Sequence, residues 1–256
     1  MGMEIKNENL CLFLETKFNK RIGEITQEDC NQCDLIPFSG NYKSPQDLSI
    51  DFSILEKFPN ASKVTVSNAY ITVKDMETVG YYSNICSISF NKCMFDNLSL
   101  NSLKNLEQLS LIGCFNEEYS FISDMSQLRE LEISNPYTEE AIDMNLLNGN
   151  NSINKLILNR CILENFSAIK GKQSLKYLSL LWTQLSKDYF EVLNSLSNLE
   201  KLYIKEDYNN ALFSNSDMIV RTNLLEDTFL QDDDVSENEV DSIGVVEPIS
   251  FGRKAN

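Results

Sequence analysis

Apolar residues in this chain recur at intervals of three, two and three. A helix, with its period near 3.6, does not produce that rhythm, and neither does a plain strand with its period of two. In LEQLSLIGC (106–114) the marked positions are Leu106, Leu109, Leu111 and Cys114. The same frame fits ASKVTVSNA (61–69), ICSISFNKC (85–93), LRELEISNP (128–136), INKLILNRC (153–161), LKYLSLLWT (175–183) and LEKLYIKED (199–207). Successive starts lie 24, 21, 22, 25, 22 and 24 residues apart. Each segment predicts one short strand whose middle apolar pair, two residues apart, points into a core. The outer pair marks where the chain enters and leaves the strand. The stretches between strands must carry the chain back, so the strands are expected to stack in parallel, about 4.8 Å apart.

Seven such segments in tandem resemble the leucine-rich repeat, L-x-x-L-x-L-x-x-N/C, in its short class of about 22 residues. The resemblance implies an α/β leucine-rich repeat solenoid, right-handed, with a curved parallel sheet on the concave side and short helices or loops on the convex side. Upstream, FNKRIGEITQEDCNQC (18–33) is similar to the N-terminal cap of bacterial internalin-like proteins, in which I-T-x-x-D leads into the first repeat. Thr26, with Glu28 and Asp29 behind it, is expected to start a short helix whose polar face seals the stack. Cys30, Cys33, Leu35 and Phe38 repeat the three-two-three rhythm and read as an extra first repeat, followed by an insertion before residue 61. The expected organisation is a helical cap over 1–29, seven to eight repeats over 30–208, and a C-terminal cap with an acidic, disordered tail over 209–256.

Composition then narrows the chemistry. Histidine is absent, which removes the commonest general base and the commonest zinc ligand. Seven cysteines at irregular spacing argue for reduced thiols rather than a disulfide framework. Cys93, Cys114 and Cys161 fall at the position where the strand ends. A small side chain there can donate a weak hydrogen bond to nearby backbone, so a buried structural role is expected. Cys30 and Cys33 form a C-x-x-C pair, but no second pair stands at a zinc-ribbon spacing. No metal, no cofactor and no catalytic residue is expected, because the sequence shows no nucleophile–base pair and no phosphate-binding loop. No apolar run is long enough to span a membrane, and MGMEIKNENLCLFLETKF does not read as a secretory leader, so the cytoplasm is the expected location. A net charge of −16 opposes nucleic acid and anionic membranes and favours a basic partner. Nine carboxylates and no Lys or Arg fall within residues 226–247, the composition of a solvated tail or of a motif that docks on a basic surface.

Residues between the marked apolar positions should project from the concave sheet. Small polar groups dominate the early repeats: Thr65, Ser67, Ser87, Ser89 and Asn91. From residue 153 the character changes to Lys155, Ile157 and Arg160, then Tyr177, Leu181 and Trp182, then Lys201, Tyr203 and Lys205. Large apolar and aromatic side chains gathered on a solvent-facing sheet mark an interaction site, and these nine residues are the expected partner-binding set. The function this implies is a non-catalytic module that holds another protein on its concave face, as an intracellular inhibitor or immunity-type protein. A scaffold that recruits its partner through the acidic tail and an internalin-like surface adhesin are the alternatives.

Overall fold

In the computed structural model, which describes residues 5–40, 50–95, 100, 102–115, 119–136, 140–185, 189–204 and 219–221, every three-two-three segment forms a strand. Helices α1 (Glu8–Phe18) and α2 (Gln27–Cys30) precede β1 (Leu35–Ser39) and β2 (Lys63–Ser67). There follow β3 (Tyr70–Ile71), α3 (Val73–Gly80), β4 (Ser87–Asn91), β5 (Met94–Phe95), β6 (Gln108–Ile112) and β7 (Glu130–Ser134). Next come β8 (Ile142–Asp143), β9 (Lys155–Asn159), β10 (Leu163–Glu164), β11 (Tyr177–Leu180), α4 (Tyr189–Asn194), β12 (Lys201–Ile204) and β13 (Ile219–Arg221). Nine strands form one sheet in the order β1-β2-β4-β6-β7-β9-β11-β12-β13, and each neighbouring pair is parallel. The return segments are short: α3, α4 and single 3₁₀ turns at Phe52–Lys57, Ser120–Asp124, Met144–Leu147 and Phe166–Ile169.

Register explains the rhythm. Ile36, Val64, Ile88, Leu109, Leu131, Leu156, Leu178 and Leu202 form one buried row, and Phe38, Val66, Phe90, Leu111, Ile133, Leu158, Leu180 and Ile204 form the next. Residues between these rows face away from the core, so the sheet has one packed face and one open face. One expectation needs correction. The first repeat does not begin at Cys30, because Ile36 and Phe38 are the inward pair and Cys33 holds the leading position; Leu35 stands on the open face opposite Lys63. The sheet also runs further than the repeat pattern. Strand β13 pairs with β12 at 219–221, beyond the expected end of the repeats at 208.

At the strand exit each small polar side chain ties its repeat to the one before. The Cys93 thiol donates to the Val66 carbonyl at 3.4 Å, Cys114 to Phe90 at 3.4 Å and Cys161 to Ile133 at 3.3 Å. The Thr183 hydroxyl does the same to Leu158. Burial pushes the Cys161 thiol up to about 12, so it stays protonated and inert at neutral pH. One residue earlier the chain turns through the left-handed region in six successive repeats: Asn68, Lys92, Gly113, Asn135, Arg160 and Trp182 have φ between 52° and 60°. At the strand entry, the residue before the leading apolar position supplies a second ladder. Side-chain amides of Asn60, Asn105 and Asn198 donate to the carbonyls of Asn31, Ser83 and Gln173, at 2.8–2.9 Å. Asn84 reaches Pro59 in the same way. Such bonds contribute about 1 kcal/mol each and satisfy carbonyls that irregular return segments leave without a backbone partner.

The N-terminal end is closed by the segment that the I-T-x-x-D motif marks. Thr26 accepts from the Asp29 N–H at 3.2 Å, while Asp29 accepts from the Thr26 N–H at 2.8 Å, a reciprocal capping box. The same five-residue pattern recurs as ITVKD at 71–75, where Thr72 and Asp75 cap α3 identically. Lys20 bridges the Asp29 carboxylate at 2.7 Å. That contact, with the Thr26 bonds, lowers the Asp29 pKa to about 2. Helix α1 packs against β1 at the outer edge of the sheet, and Asn7, which caps α1, donates to the Ser39 carbonyl at 2.9 Å and accepts from its N–H at 3.4 Å. An edge strand with its terminal groups satisfied is a poor template for unwanted pairing.

Candidate interaction surface on the open face

Three rows of side chains cover the open face. The first runs Lys63, Ser87, Gln108, Glu130, Lys155, Tyr177 and Lys201. The second runs Thr65, Ser89, Ser110, Glu132, Ile157, Ser179 and Tyr203. A third lies at the strand ends: Ser67, Asn91, Ile112, Ser134 and Asn159. Because the register is unshifted, members of a row are neighbours at about the strand spacing of 4.8 Å, and they interact across it.

The centre of the face is a polar network. Gln108 donates to Glu130 at 3.0 Å, and Lys155 lies 3.9 Å from the other Glu130 oxygen. Glu132 accepts from Ser110 at 2.7 Å and from Ser134 at 3.0 Å. Both glutamates are therefore held in place by this protein's own groups and keep lone pairs free. They help to line a shallow depression of about 120 Å³ that runs from Ser87 and Ser89 on β4 to Lys155 and Ile157 on β9. Towards the C-terminus the network becomes aromatic. The Lys155 ammonium sits 5.4 Å from the Tyr177 ring centroid, and Tyr177 lies on Tyr203 at 5.2 Å between centroids, tilted by 32°.

Most of the residues expected at the surface are there, but two are not and one is undetermined. Lys155, Ile157 and Tyr177 stand half-buried in neighbouring strands, and Lys201 is exposed beside Tyr177. Tyr203 faces the same side, yet only 8% of it is accessible. Leu181 is buried at 6%, with its N–H held by the Asn159 side-chain oxygen at 3.0 Å. Alternation along a strand sets the direction of these two side chains but says nothing of what lies over them. Lys205 lies outside the described residues. Arg160 and Trp182 occupy the left-handed corner after the strand rather than the strand itself, and Trp182 is 45% exposed.

That corner is informative. A left-handed conformation costs a residue with a Cβ roughly 1–2 kcal/mol, which Gly avoids and Asn tolerates. Gly113, Asn68 and Asn135 meet the demand directly. Trp182 does not. It is the chain's single tryptophan, held in a conformation that disfavours it and left nearly half exposed. The sequence carries a signal for this corner, in the Asn and Gly residues at the equivalent place in other repeats.

Among solved structures the chain is similar to internalin C2 from Listeria monocytogenes, at 18% identity over 85% of this chain and 93% of that one, with a TM-score of 0.50. It is also similar to internalin InlF from the same organism, at 15% identity over 86% and 95%, with a TM-score of 0.47. A third similarity is to TLR13 in its complex with ssRNA13, at 15% identity over 79% and 34%, with a TM-score of 0.47. No protein-family model matches the sequence, and no curated protein does. At these identities the likenesses concern the fold and not the ligand. Repeat length, sheet order and the likeness to internalin C2 together make this fold an α/β leucine-rich repeat solenoid.

Proposed function

We propose that this chain is a non-catalytic protein-binding module whose partner docks on the C-terminal half of the open face. One observation carries the reading: Ile157, Tyr177 and Trp182 reach solvent within two adjacent repeats, and Trp182 does so from a left-handed corner. Apolar and aromatic groups gathered in this way are the usual core of a protein interface. Within this reading an intracellular inhibitor or immunity-type role is favoured, in which a rigid face occludes a surface of its target. A face built on nine hydrogen-bonded strands is pre-organised, so little ordering entropy opposes binding.

The test is affinity capture from cell extract with three baits: wild type, Trp182→Ala and Ser89→Ala. A protein retained by wild type and Ser89→Ala but lost from Trp182→Ala supports the open-face site. Equal capture by all three, together with loss on deleting residues 226–256, would overturn it in favour of an adaptor that works through its acidic tail.

A further inference from the structure

Two thiols of the strand-exit row stand side by side. Cys93 and Cys114 hold the same position in neighbouring repeats, between the Asn91–Ile112 pair that ends β4 and β6 and the Met94–Phe115 bridge that follows. In-register residues of adjacent strands lie about 4.8 Å apart, inside the window of roughly 4.4–6.8 Å between Cα atoms that a disulfide spans. The two sulfurs are also within hydrogen-bond reach of each other. Cys161 has no such neighbour, because the same position in the repeats beside it holds Pro136 and Thr183.

The three thiols differ in chemistry. Burial alone pushes Cys161 up to about 12. Cys93 is as deeply buried, yet hydrogen bonding from Cys114, joined by backbone groups of Ala69, Asn91 and Asn68, holds its pKa below the usual thiol value. The same contact, with burial, raises Cys114, which keeps its proton. One sulfur is thus disposed to ionise while a protonated thiol stands beside it, the arrangement of an attacking and a resolving cysteine. The Cys30 and Cys33 thiols are close in sequence, but burial raises both.

We infer that Cys93 and Cys114 are a peroxide-sensitive pair that closes to a disulfide within the folded repeat stack. The Cys93 thiolate attacks one oxygen of hydrogen peroxide, the O–O bond breaks, and the hydroxide released takes up the proton that Cys93 gave away. The Cys114 sulfur then attacks the resulting sulfenic acid. The S–S bond forms, the S–O bond breaks, and the departing hydroxide leaves with the Cys114 proton as water. Two thiols lose two electrons and two protons, and one peroxide becomes two waters. Each residue is only 1% exposed, so a water-sized oxidant enters through a small local opening where a bulky disulfide does not. The product ties the β4 repeat to the β6 repeat and replaces the thiol bonds to the Val66 and Phe90 carbonyls with a covalent link.

Peptide mapping of the folded full chain tests this. The protein is treated with hydrogen peroxide at neutral pH, its remaining thiols are alkylated, and it is digested with trypsin without reduction. Cleavage after Lys92, Lys104 and Arg129 puts the two cysteines on separate peptides. The expected product is 93–104 joined to 105–129, with free Cys93 lost at least about tenfold faster than free Cys161. Met94, 45% exposed, becomes the sulfoxide and shows that oxidant reached the chain. Dithiothreitol should regenerate both thiols. Cys114→Ser should leave Cys93 as a sulfenic acid that dimedone traps; if that variant does not fold, the wild-type map decides alone. Equal loss of Cys93 and Cys161, a sulfinic acid at Cys93 with Cys114 still free, or a cross-link that appears only in urea would each overturn the inference. So would an untouched pair once Met94 is oxidised, or a folded Cys114→Ser chain without the dimedone adduct.

Discussion

The two halves of the sheet share a core and differ on their open face. Inward rows from β2 to β6 read Val64, Val66, Ile88, Phe90, Leu109 and Leu111; from β9 to β12 they read Leu156, Leu158, Leu178, Leu180, Leu202 and Ile204, and all twelve are buried. Outward, Thr65, Ser89 and Ser110 in one half stand against Ile157, Ser179 and Tyr203 in the other. Stacking requires only that the inward positions be apolar and of the right size. Nothing in the fold asks for lysines and aromatics on the outside, so their concentration in one half has to be explained by something other than the fold.

If the halves are equivalent inside, they should break equally. Leu109→Ala and Leu178→Ala each delete a fully buried side chain, and each is expected to cost about 2–5 kcal/mol in urea-induced unfolding. A cost several times larger in one half would mean that the core is not uniform and that the outward difference compensates for it. Outside, the halves should break unequally. Trp182→Ala is expected to weaken the partner complex by about 2 kcal/mol or more, roughly thirtyfold in Kd, without lowering Tm appreciably. Ser67→Ala and Ser89→Ala, on the early strands, should change Kd little; an equal loss there would spread the interface over the whole face and dissolve the contrast.

The core is legible in the sequence because apolar spacing is imposed by geometry, repeat after repeat. The first repeat is ambiguous for the same reason: LIPF offers apolar residues at Leu35, Ile36 and Phe38, and with Cys30 and Cys33 upstream two frames fit. A shift of frame moves a strand's inward set to the other face, so only the register with Val64 and Val66 settles it. Strand β13 gives no signal, since residues 219–221 do not continue the three-two-three pattern. On the open face, alternation is enough to set the outward direction of Lys155, Ile157, Tyr177 and Lys201. Leu181 and Tyr203 show the limit, because a side chain's direction does not give its exposure. The asparagine ladder, an Asn before the leading apolar residue at 60, 84, 105 and 198, becomes legible only once the register is known. Asparagine is common wherever a chain turns in water, so four of them among many do not stand out by sequence.

The ends of the stack offer a smaller contrast. At the N-terminal end an ionised carboxylate is part of the seal, since Asp29 accepts from Lys20 and from the Thr26 N–H. Its pKa is depressed to about 2 from an ordinary 3.8, so its contribution is fully present above the ordinary value and lost as pH falls through the depressed one. Amide exchange in α2 should therefore accelerate between about pH 4 and pH 2 ahead of exchange in β9 and β11. Asp29→Asn should abolish that difference and leave the capped segment equally labile at neutral pH. Simultaneous acid exchange in both regions of the wild type would remove Asp29 from any special part in closing the stack.

The smallest effect sharpens the comparison most, because stability and binding should move in opposite directions. Trp182 and its equivalents Asn68 and Asn135 share the left-handed corner with φ of 60°, 55° and 52°. Asn68, Gly113 and Asn135 suit the corner and Lys92 and Arg160 occupy it at a cost, while in the last of these repeats the bulkiest side chain, tryptophan, takes the place. Trp182→Asn relieves a conformational cost of roughly 1–2 kcal/mol for a bulky residue and gives up the packing of the buried half of the indole, which offsets much of that gain. The expected net change is stabilisation by less than about 1 kcal/mol, with a loss of partner affinity matching that of Trp182→Ala. Thermal unfolding and a binding titration on the same preparation check both signs. If Trp182→Asn instead destabilises the chain by more than about 1 kcal/mol and leaves binding intact, the indole is part of the packing, the strain serves the fold, and the C-terminal half loses its claim to be the working surface.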